Sequence, residues 1–256
     1  MEVNPQPEQD FFSSLRSQIK NSKEKQAFVF VHGYNVSFED AARRTAQMAY
    51  DLGFDGAPIF FSWPSQDKTA AYTVDEANQE WAVPHLKTFL TGVSSRTGAK
   101  KIYLIAHSMG TRALSAALRE MANERPNHRL FKEVVLAAPD IDAEVFQRDI
   151  FPKIQPLAGR ITLYASSKDK ALQASKLVHA YSRAGESEIN RLVIAPGLDT
   201  VDASLVDTSF LGHSYYADNR SVISDLYYLL SNGNPPGQRN LLEKNRKSQK
   251  YWAFKP

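Results

Sequence analysis

One five-residue stretch, Ala106–Gly110, constrains the fold of this chain more than any other feature. Its serine, Ser108, follows a short apolar run that is typical of a β-strand and precedes a run of small residues that is typical of a helix. A strand, a tight turn and a helix form the setting in which a nucleophilic serine is lifted above the edge of a sheet. The turn tolerates only small neighbours, and Ala106 and Gly110 provide them. The stretch therefore predicts a nucleophile elbow, whose chemical partners must lie elsewhere in the chain.

The composition fits a single packed domain. The chain has 256 residues, of which 43% are hydrophobic and 23% are charged, so it can bury a core. The net charge of +3 is small and favours neither nucleic acid nor a membrane surface as a partner. There is no cysteine, which excludes disulfides and thiolate chemistry. No apolar run approaches the roughly 18 residues of a transmembrane helix.

The first residues bear on localisation. Residues 1–7 lack the basic start and the apolar centre of a signal peptide. We therefore expect a cytoplasmic protein from the chain as written, and an exported one if an upstream segment has been removed. The oligomeric state is left open by the sequence.

Alternating apolar runs and helical patterns predict an α/β architecture. They indicate a mostly parallel sheet of at least six strands with helices on both faces. The strand-like runs are Ala27–Val31, Pro58–Trp63, Lys101–Ile105, Lys132–Ala137, Ile161–Ala165 and Arg191–Ala195. Capping boxes at Ser37–Asp40 and Thr73–Glu76 predict two helix starts. The segment between Ala138 and Ile161 is short, which predicts a minimal lid and a small, open site.

A serine nucleophile needs a base, and chain order restricts the candidates. In folds with a nucleophile elbow the order is serine, acid, histidine. Only His128, His179 and His213 follow Ser108. His128 precedes the next strand and His179 lies within a helical pattern. His213 lies in a glycine-flanked loop after the last predicted strand, so it is the predicted base.

Two aspartates compete for the role of the acid. Asp169 follows the second strand after the elbow, which is the usual position of the acid in this fold. Asp140 follows the first strand after the elbow, where a turn that caps the next helix would also explain it. We predict Asp169 and keep Asp140 as the alternative.

An oxyanion hole requires two backbone N–H donors aimed at the attacked carbonyl oxygen. Met109, directly after the serine, is the first predicted donor. The second is Tyr34, since His32-Gly33-Tyr34 follows the first strand and glycine permits close approach of the backbone.

Aromatic residues near strand ends are candidates for an acyl or aromatic substrate pocket. These candidates are Phe61, Trp63, Tyr72 and Tyr215. Asp199, Asp202 and Asp207 are closely spaced but match no calcium-binding loop, so no metal site is predicted.

Five runs together resemble one known family. They are Phe28–Asn35, Phe60–Pro64, Ala106–Gly110, Leu136–Asp142 and Gly212–Tyr216. In these runs the chain resembles the bacterial α/β-hydrolase family catalogued as domain of unknown function 900, from about residue 27 to the end. The resemblance implies an α/β-hydrolase fold and an esterase-like serine hydrolase with Ser108, Asp169 and His213 in the matching positions.

On this basis we expect a central α/β-hydrolase domain over residues 27–232. Residues 1–26 are expected to form an N-terminal extension with an amphipathic helix, since apolar residues recur there at helical spacing. Residues 233–256 are expected to form a basic tail that packs on the domain.

The leading hypothesis for function is cleavage of a small-molecule or acyl ester through an acyl-enzyme, without a metal or organic cofactor. The same triad would serve a thioesterase, an amidase or an acyltransferase, because pocket shape decides among them. The alternative of another class is an inactive hydrolase-fold binding or scaffold protein. The joint presence of the triad order and both oxyanion elements argues against that alternative.

Overall fold

An eight-stranded sheet organises the computed structural model, which describes residues 3–68, 71–168, 172, 175, 181–187, 191–206 and 220–255. The strands are β1 (Gln26–Val31), β2 (Ala57–Phe61), β3 (Lys101–His107), β4 (Phe131–Ala137), β5 (Ala158–Ala165), β6 (Leu198–Asp202), β7 (Leu242–Arg246) and β8 (Gln249–Ala253). Their order across the sheet is β2-β1-β3-β4-β5-β6-β8-β7. Neighbouring strands are parallel, except that β7 and β8 are antiparallel.

Helices cover both faces of this sheet. They are α1 (Glu8–Asn21), α2 (Phe38–Asp51), α3 (Tyr72–Arg96), α4 (Gly110–Glu124), α5 (Ala143–Val145), α6 (Phe151–Ile154) and α7 (Arg220–Asn232). A π-helical turn at Phe146–Ile150 joins α5 to α6, and 3₁₀ turns occupy Gln155–Leu157 and Pro236–Gln238. None of the helices in the described ranges is long and apolar enough to cross a membrane.

The alternation along β1 shows how the two faces are packed. Val29 belongs to the apolar cluster that contains buried residues of α1, α3 and α4. Phe28 and Phe30 belong to the opposite cluster, with buried residues of α2 and α7. A strand buried on both faces needs a continuous apolar run, which is why β1 could be predicted from its sequence. The predicted parallel sheet with helices on both faces is confirmed.

Strand register brings three loops to one edge of the sheet. Val31 pairs with Ala106 between β1 and β3, and His107 pairs with Ala137 between β3 and β4. Because the strands are parallel, the residues that follow each pair leave the sheet side by side. Ser108 therefore lies between the loop that follows β1 and the loop that follows β4.

The sixth strand lies later in the chain than the sequence predicted. The apolar run Leu192–Ile194 is buried but irregular, and β6 begins after Gly197, whose φ is +84°. β6 itself carries the polar residues Asp199 and Thr200, and the Thr200 hydroxyl donates to the Val193 carbonyl at 2.7 Å. The apolar residues of this segment indicated that it is buried, but they could not show whether it pairs with a strand of the sheet. The prediction of a strand at Arg191–Ala195 is wrong.

The two predicted capping boxes differ in outcome. At Ser37–Asp40 the Asp40 N–H donates to the Ser37 hydroxyl at 3.1 Å, which confirms a capped start for α2. The capping box at Thr73–Glu76 is wrong, because α3 begins after Ala71 without a side-chain cap. Glu76 instead forms an ion pair with Arg112 on α4 at 2.5 Å. Glu76 therefore contacts a residue that is distant in sequence, instead of the local cap with Thr73 that the spacing suggested.

The C-terminal segment adds two strands to the sheet. β7 and β8 form a hairpin, and β8 pairs with β6 through Val201–Trp252 and Asp202–Ala253. Tyr251 and Trp252 are half-buried and Phe254 is buried. The hairpin therefore extends the sheet beyond β6, with its charged outer strand, β7, at the edge.

Candidate active site

Ser108 occupies a tight turn between β3 and α4. Its φ of +50° lies in the left-handed region, which is unusual for a residue other than glycine. The Ser108 N–H donates to the Ala137 carbonyl at 2.9 Å, and the Thr111 hydroxyl donates to the Ser108 carbonyl at 2.6 Å. These bonds hold the serine in a strained backbone geometry of the kind found in nucleophile elbows.

The loop after β1 lies directly against this turn. A Cβ atom added to Gly33 would be 3.0 Å from the Ser108 Cβ and 2.9 Å from the His107 Nδ1. A Cβ atom on Gly110 would overlap the carbonyl oxygen of His32. A side chain at either glycine would push the two loops apart, so their close approach depends on both glycines.

The two predicted oxyanion donors belong to these two loops. Tyr34 follows Gly33 and is half-buried, and Asn35 after it has a φ of +56° that turns the chain. Met109 is buried and already helical, with a φ of −59° at the start of α4. Backbone N–H groups at a helix N-terminus lack intrahelical acceptors and lie at the positive end of the helix dipole. Negative charge that develops near Ser108 would be stabilised by this end of α4.

His32 and Trp63 fix the loop that carries Tyr34. The Trp63 Nε1–H donates to the His32 carbonyl at 2.8 Å, and the Trp63 backbone N–H donates to the His32 Nε2 at 3.1 Å. The two rings are stacked with centroids 5.0 Å apart. Trp63, a predicted pocket residue, is only 2% exposed, so its side chain supports the loop from below.

His32 is held as a neutral imidazole. Burial lowers its pKa to about 4, although nearby backbone hydrogen bonds to Gly33 and Trp63 oppose the shift. Because Nε2 accepts a hydrogen bond from Trp63, the proton must reside on Nδ1, which lies 2.8 Å from the Gly33 carbonyl and donates to it. Both ring nitrogens are therefore engaged in holding the loop.

A buried carboxylate, Asp75, secures the neighbouring loop after β2. It accepts a hydrogen bond from the Ser65 hydroxyl at 2.6 Å and one from the Gln66 N–H at 2.8 Å. Ser65 Oγ in turn accepts from the Val36 N–H at 3.4 Å, next to the candidate oxyanion loop. Sequence reasoning missed Asp75, because an acid in the first turn of a helix is ordinary without any loop contact.

Asp140 lies at the centre of a buried ion cluster beside Ser108. Its Oδ2 accepts from the Tyr72 hydroxyl at 2.5 Å and lies 3.2 Å from the Arg112 Nη2. Its Oδ1 accepts from the Ser175 hydroxyl at 2.5 Å and lies 3.2 Å from the Arg183 Nε. Burial and the nearby Asp140 carboxylate raise the pKa of Tyr72, so that hydroxyl stays protonated and donates.

This cluster engages both carboxylate oxygens of the alternative acid. Asp140 is 1% exposed, and its backbone N–H also approaches the Ser108 carbonyl at 3.5 Å. Its side chain joins α3, α4 and the segment around residue 183. Among the described contacts, Asp140 therefore acts as a structural connection beneath the elbow.

Only some of the remaining predicted residues lie within the described part of the chain. Asp169, His213 and Tyr215 lie outside the described residues, as does His179. The half-buried Phe61 packs against Phe89 with ring centroids 5.7 Å apart, and the half-buried Tyr72 packs edge-on against Tyr34 at 5.3 Å. His128 is exposed between α4 and β4, at the opposite edge of the sheet from Ser108. Within the described ranges, no group of three or more acidic or histidine side chains could hold a metal ion.

A family model matches most of the chain. The family is described as alpha/beta hydrolase of unknown function (DUF900), and its model spans residues 8–231. An uncharacterized protein from Nostoc sp. (strain PCC 7120) is 26% identical over 131 residues. That match covers 41% of this chain, and the chain spans only 34% of the relative's length.

The solved structures that this chain matches share little sequence with it. A lipase-esterase related protein from Clostridium acetobutylicum is 10% identical with a TM-score of 0.45, covering 83% of this chain and 96% of that one. Carboxyl esterase 2 from the fungus Tuber melanosporum is 16% identical with a TM-score of 0.32, covering 70% and 57%.

Proposed function

The chain belongs to the α/β-hydrolase family of unknown function, DUF900, and we propose that it is a serine hydrolase that cleaves carboxylic esters. The observation that carries this proposal is the contact between the strained Ser108 turn and the loop at Gly33. That contact joins a serine hydroxyl, the candidate oxyanion loop and the positive end of α4 at one edge of the sheet. Acyl transfer through a serine needs this combination of groups.

In the proposed reaction, the Ser108 Oγ attacks the ester carbonyl carbon while the His213 imidazole accepts the hydroxyl proton. The carbonyl oxygen becomes an oxyanion and accepts hydrogen bonds from the N–H groups of Met109 and Tyr34. The intermediate collapses, the ester C–O bond breaks, and the alcohol leaves with the proton from His213. Water then attacks the acyl group as His213 takes its proton, and Ser108 regains a proton as the acid departs.

His213 is proposed as the base, and the positions of two other histidines, His32 and His128, do not suit that role. His32 is buried, neutral and bonded through both ring nitrogens. His128 is exposed at the far edge of the sheet. The chain order of the resembled family also assigns the base to the loop that contains His213.

Asp169 is proposed as the acid that orients His213. The competing Asp140 already accepts hydrogen bonds from Tyr72 and Ser175 and faces two guanidinium groups. A carboxylate engaged in this way would have to give up a buried partner in order to bind an imidazole. Asp169, after β5, follows the strand where hydrolases of this order carry their acid.

The test is hydrolysis of short p-nitrophenyl esters by the wild type, Ser108→Ala and Ser94→Ala. We expect Ser108→Ala to lower kcat by on the order of 10⁴- to 10⁶-fold, because the nucleophile is removed. Ser94→Ala removes a half-buried hydroxyl on α3 that donates to the Thr91 carbonyl, and should keep the wild-type rate. Equal activity in Ser108→Ala and the wild type would contradict the proposal and favour a binding protein.

A second comparison distinguishes the two candidate acids. Asp169→Asn should lower kcat by about 10⁴-fold, as expected for loss of the group that orients the base, with a melting temperature near that of the wild type. Asp140→Asn should instead lower the free energy of unfolding by a few kcal/mol, because two buried guanidinium groups lose their charged partner. A greater loss of kcat in a fully folded Asp140→Asn variant would reassign the acid.

A further inference from the structure

A pocket of about 220 Å³ lies beside the nucleophile elbow, between α4 and the segment that follows β4. Its walls combine guanidinium groups with apolar side chains. They include Arg112, Arg119 and Arg183 together with Ala116, Ile141 and Ile150. An apolar pocket with a few convergent donors is typical of a site for a small ligand.

Two elements present the arginines to this pocket. Arg112, Ala116 and Arg119 recur at i, i+4 and i+7 and so lie on one face of α4. Arg183 is brought opposite Asp142 by an antiparallel bridge, which the Ala143 N–H closes at one end by donating to the Ser182 carbonyl at 2.9 Å. The small side chain of Ala116 leaves space between the two longer arginines on the helix.

The three guanidinium groups differ in how far they are already engaged. Arg112 is paired with Glu76 at 2.5 Å and with Asp140 at 3.2 Å. Arg183 uses its Nε toward Asp140 and Ser175, whereas its buried Nη2 has no hydrogen-bond partner among the described residues. A buried donor without an acceptor is costly, so an oxygen ligand that reached this nitrogen would be stabilised by it.

The outer end of the pocket has a second available cation. The half-buried Arg119 has no ion pair or hydrogen bond with any residue in the described ranges. The acidic group of the lining, Asp142, is engaged as the cap of α5, where it accepts from the Val145 N–H at 2.9 Å. Among the described residues, Arg119 therefore has no close ion pair, although its charge acts on the carboxylate of Asp149.

We propose that this pocket binds a carboxylate or phosphate group of the substrate, so that the enzyme favours esters with an anionic group remote from the scissile bond. The planar guanidinium groups of Arg119 and Arg183 suit the geometry of these oxyanions. Arg112 of the pocket wall lies one helical turn after Ser108, and the backbone N–H of its ion-pair partner Asp140 lies 3.5 Å from the Ser108 carbonyl. The proposed substrate would therefore extend from Ser108 along α4 into the pocket. The apolar walls would accommodate the connecting aliphatic chain.

This assignment rests on the proposed esterase function, and the experiment separates the two. The substrates are p-nitrophenyl butyrate and the mono-p-nitrophenyl esters of dicarboxylic acids from succinate to suberate. We expect higher kcat/KM for at least one anionic ester than for the neutral one. Arg119→Ala should reduce the ratio of kcat/KM for the anionic ester to kcat/KM for the neutral ester about tenfold, because one charge-assisted contact is lost. Ala116→Phe, which fills the pocket with a ring, should reduce it as well.

Arg43→Ala is the matched control for loss of a positive charge. Arg43 lies on α2, which packs on the opposite face of the sheet from α4, and its 54% exposed side chain pairs with Glu39 at 2.5 Å. Its loss should leave the ratio at the wild-type value. An equal effect of Arg43→Ala and Arg119→Ala would show that only general charge matters and would overturn the assignment.

A direct binding measurement shows whether the pocket prefers a carboxylate or a phosphate. Succinate and inorganic phosphate are each titrated calorimetrically into the Ser108→Ala protein and into Ser108→Ala with Arg119→Ala. Binding of either anion that weakens about tenfold on loss of Arg119 supports the pocket, and the tighter of the two identifies the class. If Ser108-dependent hydrolysis of the neutral ester persists without anion preference or binding, the pocket assignment fails and the esterase function stands. If no ester is cleaved, the esterase function itself fails.

Discussion

Trp63 and His32 hold the candidate oxyanion loop in place, and neither is proposed to take part in the chemistry. Trp63 bonds the His32 carbonyl through its indole, and the His32 ring accepts from the Trp63 N–H. The His32 carbonyl lies where Gly110 begins α4, so the same atom also sets the distance between the two loops. We expect substitutions at Trp63 or His32 to displace the candidate oxyanion donors before they affect the stability of the fold.

Trp63→Phe tests this arrangement. Phenylalanine keeps an aromatic ring against His32 but loses the indole donor to its carbonyl. We expect kcat for a p-nitrophenyl ester to fall about tenfold with little change in KM, because oxyanion contacts act mainly in the transition state. Trp81→Phe, on a side chain that is 65% exposed and packs on His85, is the control and should match the wild type. A rise in KM with unchanged kcat would contradict a positioning role.

His32 also predicts a pH dependence of stability. Its folded pKa is lowered to about 4 from 6.5, so the unfolded chain binds the extra proton between these values. The stability that neutral His32 contributes is therefore complete above pH 6.5 and is lost as pH falls toward 4. The loss should amount to roughly 2–3 kcal/mol at about pH 4.5.

Urea unfolding of the wild type, His32→Gln and His85→Gln at several pH values measures this effect. His32→Gln should be less stable than the wild type at neutral pH, and the difference should shrink as pH falls. His85→Gln, on the exposed face of α3, should follow the wild type. A difference between His32→Gln and the wild type that stays constant with pH would refute a neutral, buried His32.

At the scale of elements, the strands that are buried on both faces of the sheet were the ones that could be predicted from sequence. β1, β3 and β4 are central parallel strands with apolar runs, and their positions were predicted to within a few residues. β7, at the edge of the sheet, and β8, beside it, carry several charged and polar residues and were expected to form a tail. Such partly exposed strands lack the continuous apolar run that identifies a central strand, because backbone pairing contributes more to their stability than burial does.

A buried ion pair ties the C-terminal segment to the body of the protein. Arg239, which precedes β7, has a fully buried side chain whose Nε lies 3.5 Å from Asp225 Oδ1 on α7. The Tyr164 hydroxyl of β5 donates to the other Asp225 oxygen. Burial raises the pKa of Asp225 to about 6 even though Arg239 lowers it, so the carboxylate depends on this arginine to stay ionised at neutral pH.

Arg239→Ala should therefore be strongly destabilising. We expect a loss of about 3–5 kcal/mol in the free energy of unfolding at neutral pH, because a buried carboxylate loses its partner. The double variant Arg239→Ala, Asp225→Asn should recover part of this loss, as no charge is then left unpaired. Lys244→Ala, on the exposed side of β7, is the control and should change little. Equal stabilities of Arg239→Ala and Lys244→Ala in urea would contradict the role of the buried pair.

At the scale of the whole molecule, the parallel register assembles the candidate site from distant segments. The loops after β1, β3 and β4 meet because their strands end at the same edge. The turn at Ser108 and the loop at Gly33 could be predicted, since each is a short motif at a fixed position in the fold. The triad order stays a prediction, because Asp169 and His213 lie outside the described residues. The Asp140 cluster and the arginine pocket could not be predicted, because they join Arg112 to Arg183 across 71 positions and no local pattern records that contact.

The central claim is that Ser108 is a nucleophile, and covalent labelling tests it most directly. In the reaction with an alkyl fluorophosphonate, the serine oxygen bonds to phosphorus and fluoride leaves. Peptide mapping by mass spectrometry should find a single adduct on Ser108, absent from Ser108→Ala and from protein unfolded before labelling. Failure of the folded wild type to react, or an adduct on another residue with Ser108 unmodified, would contradict the claim.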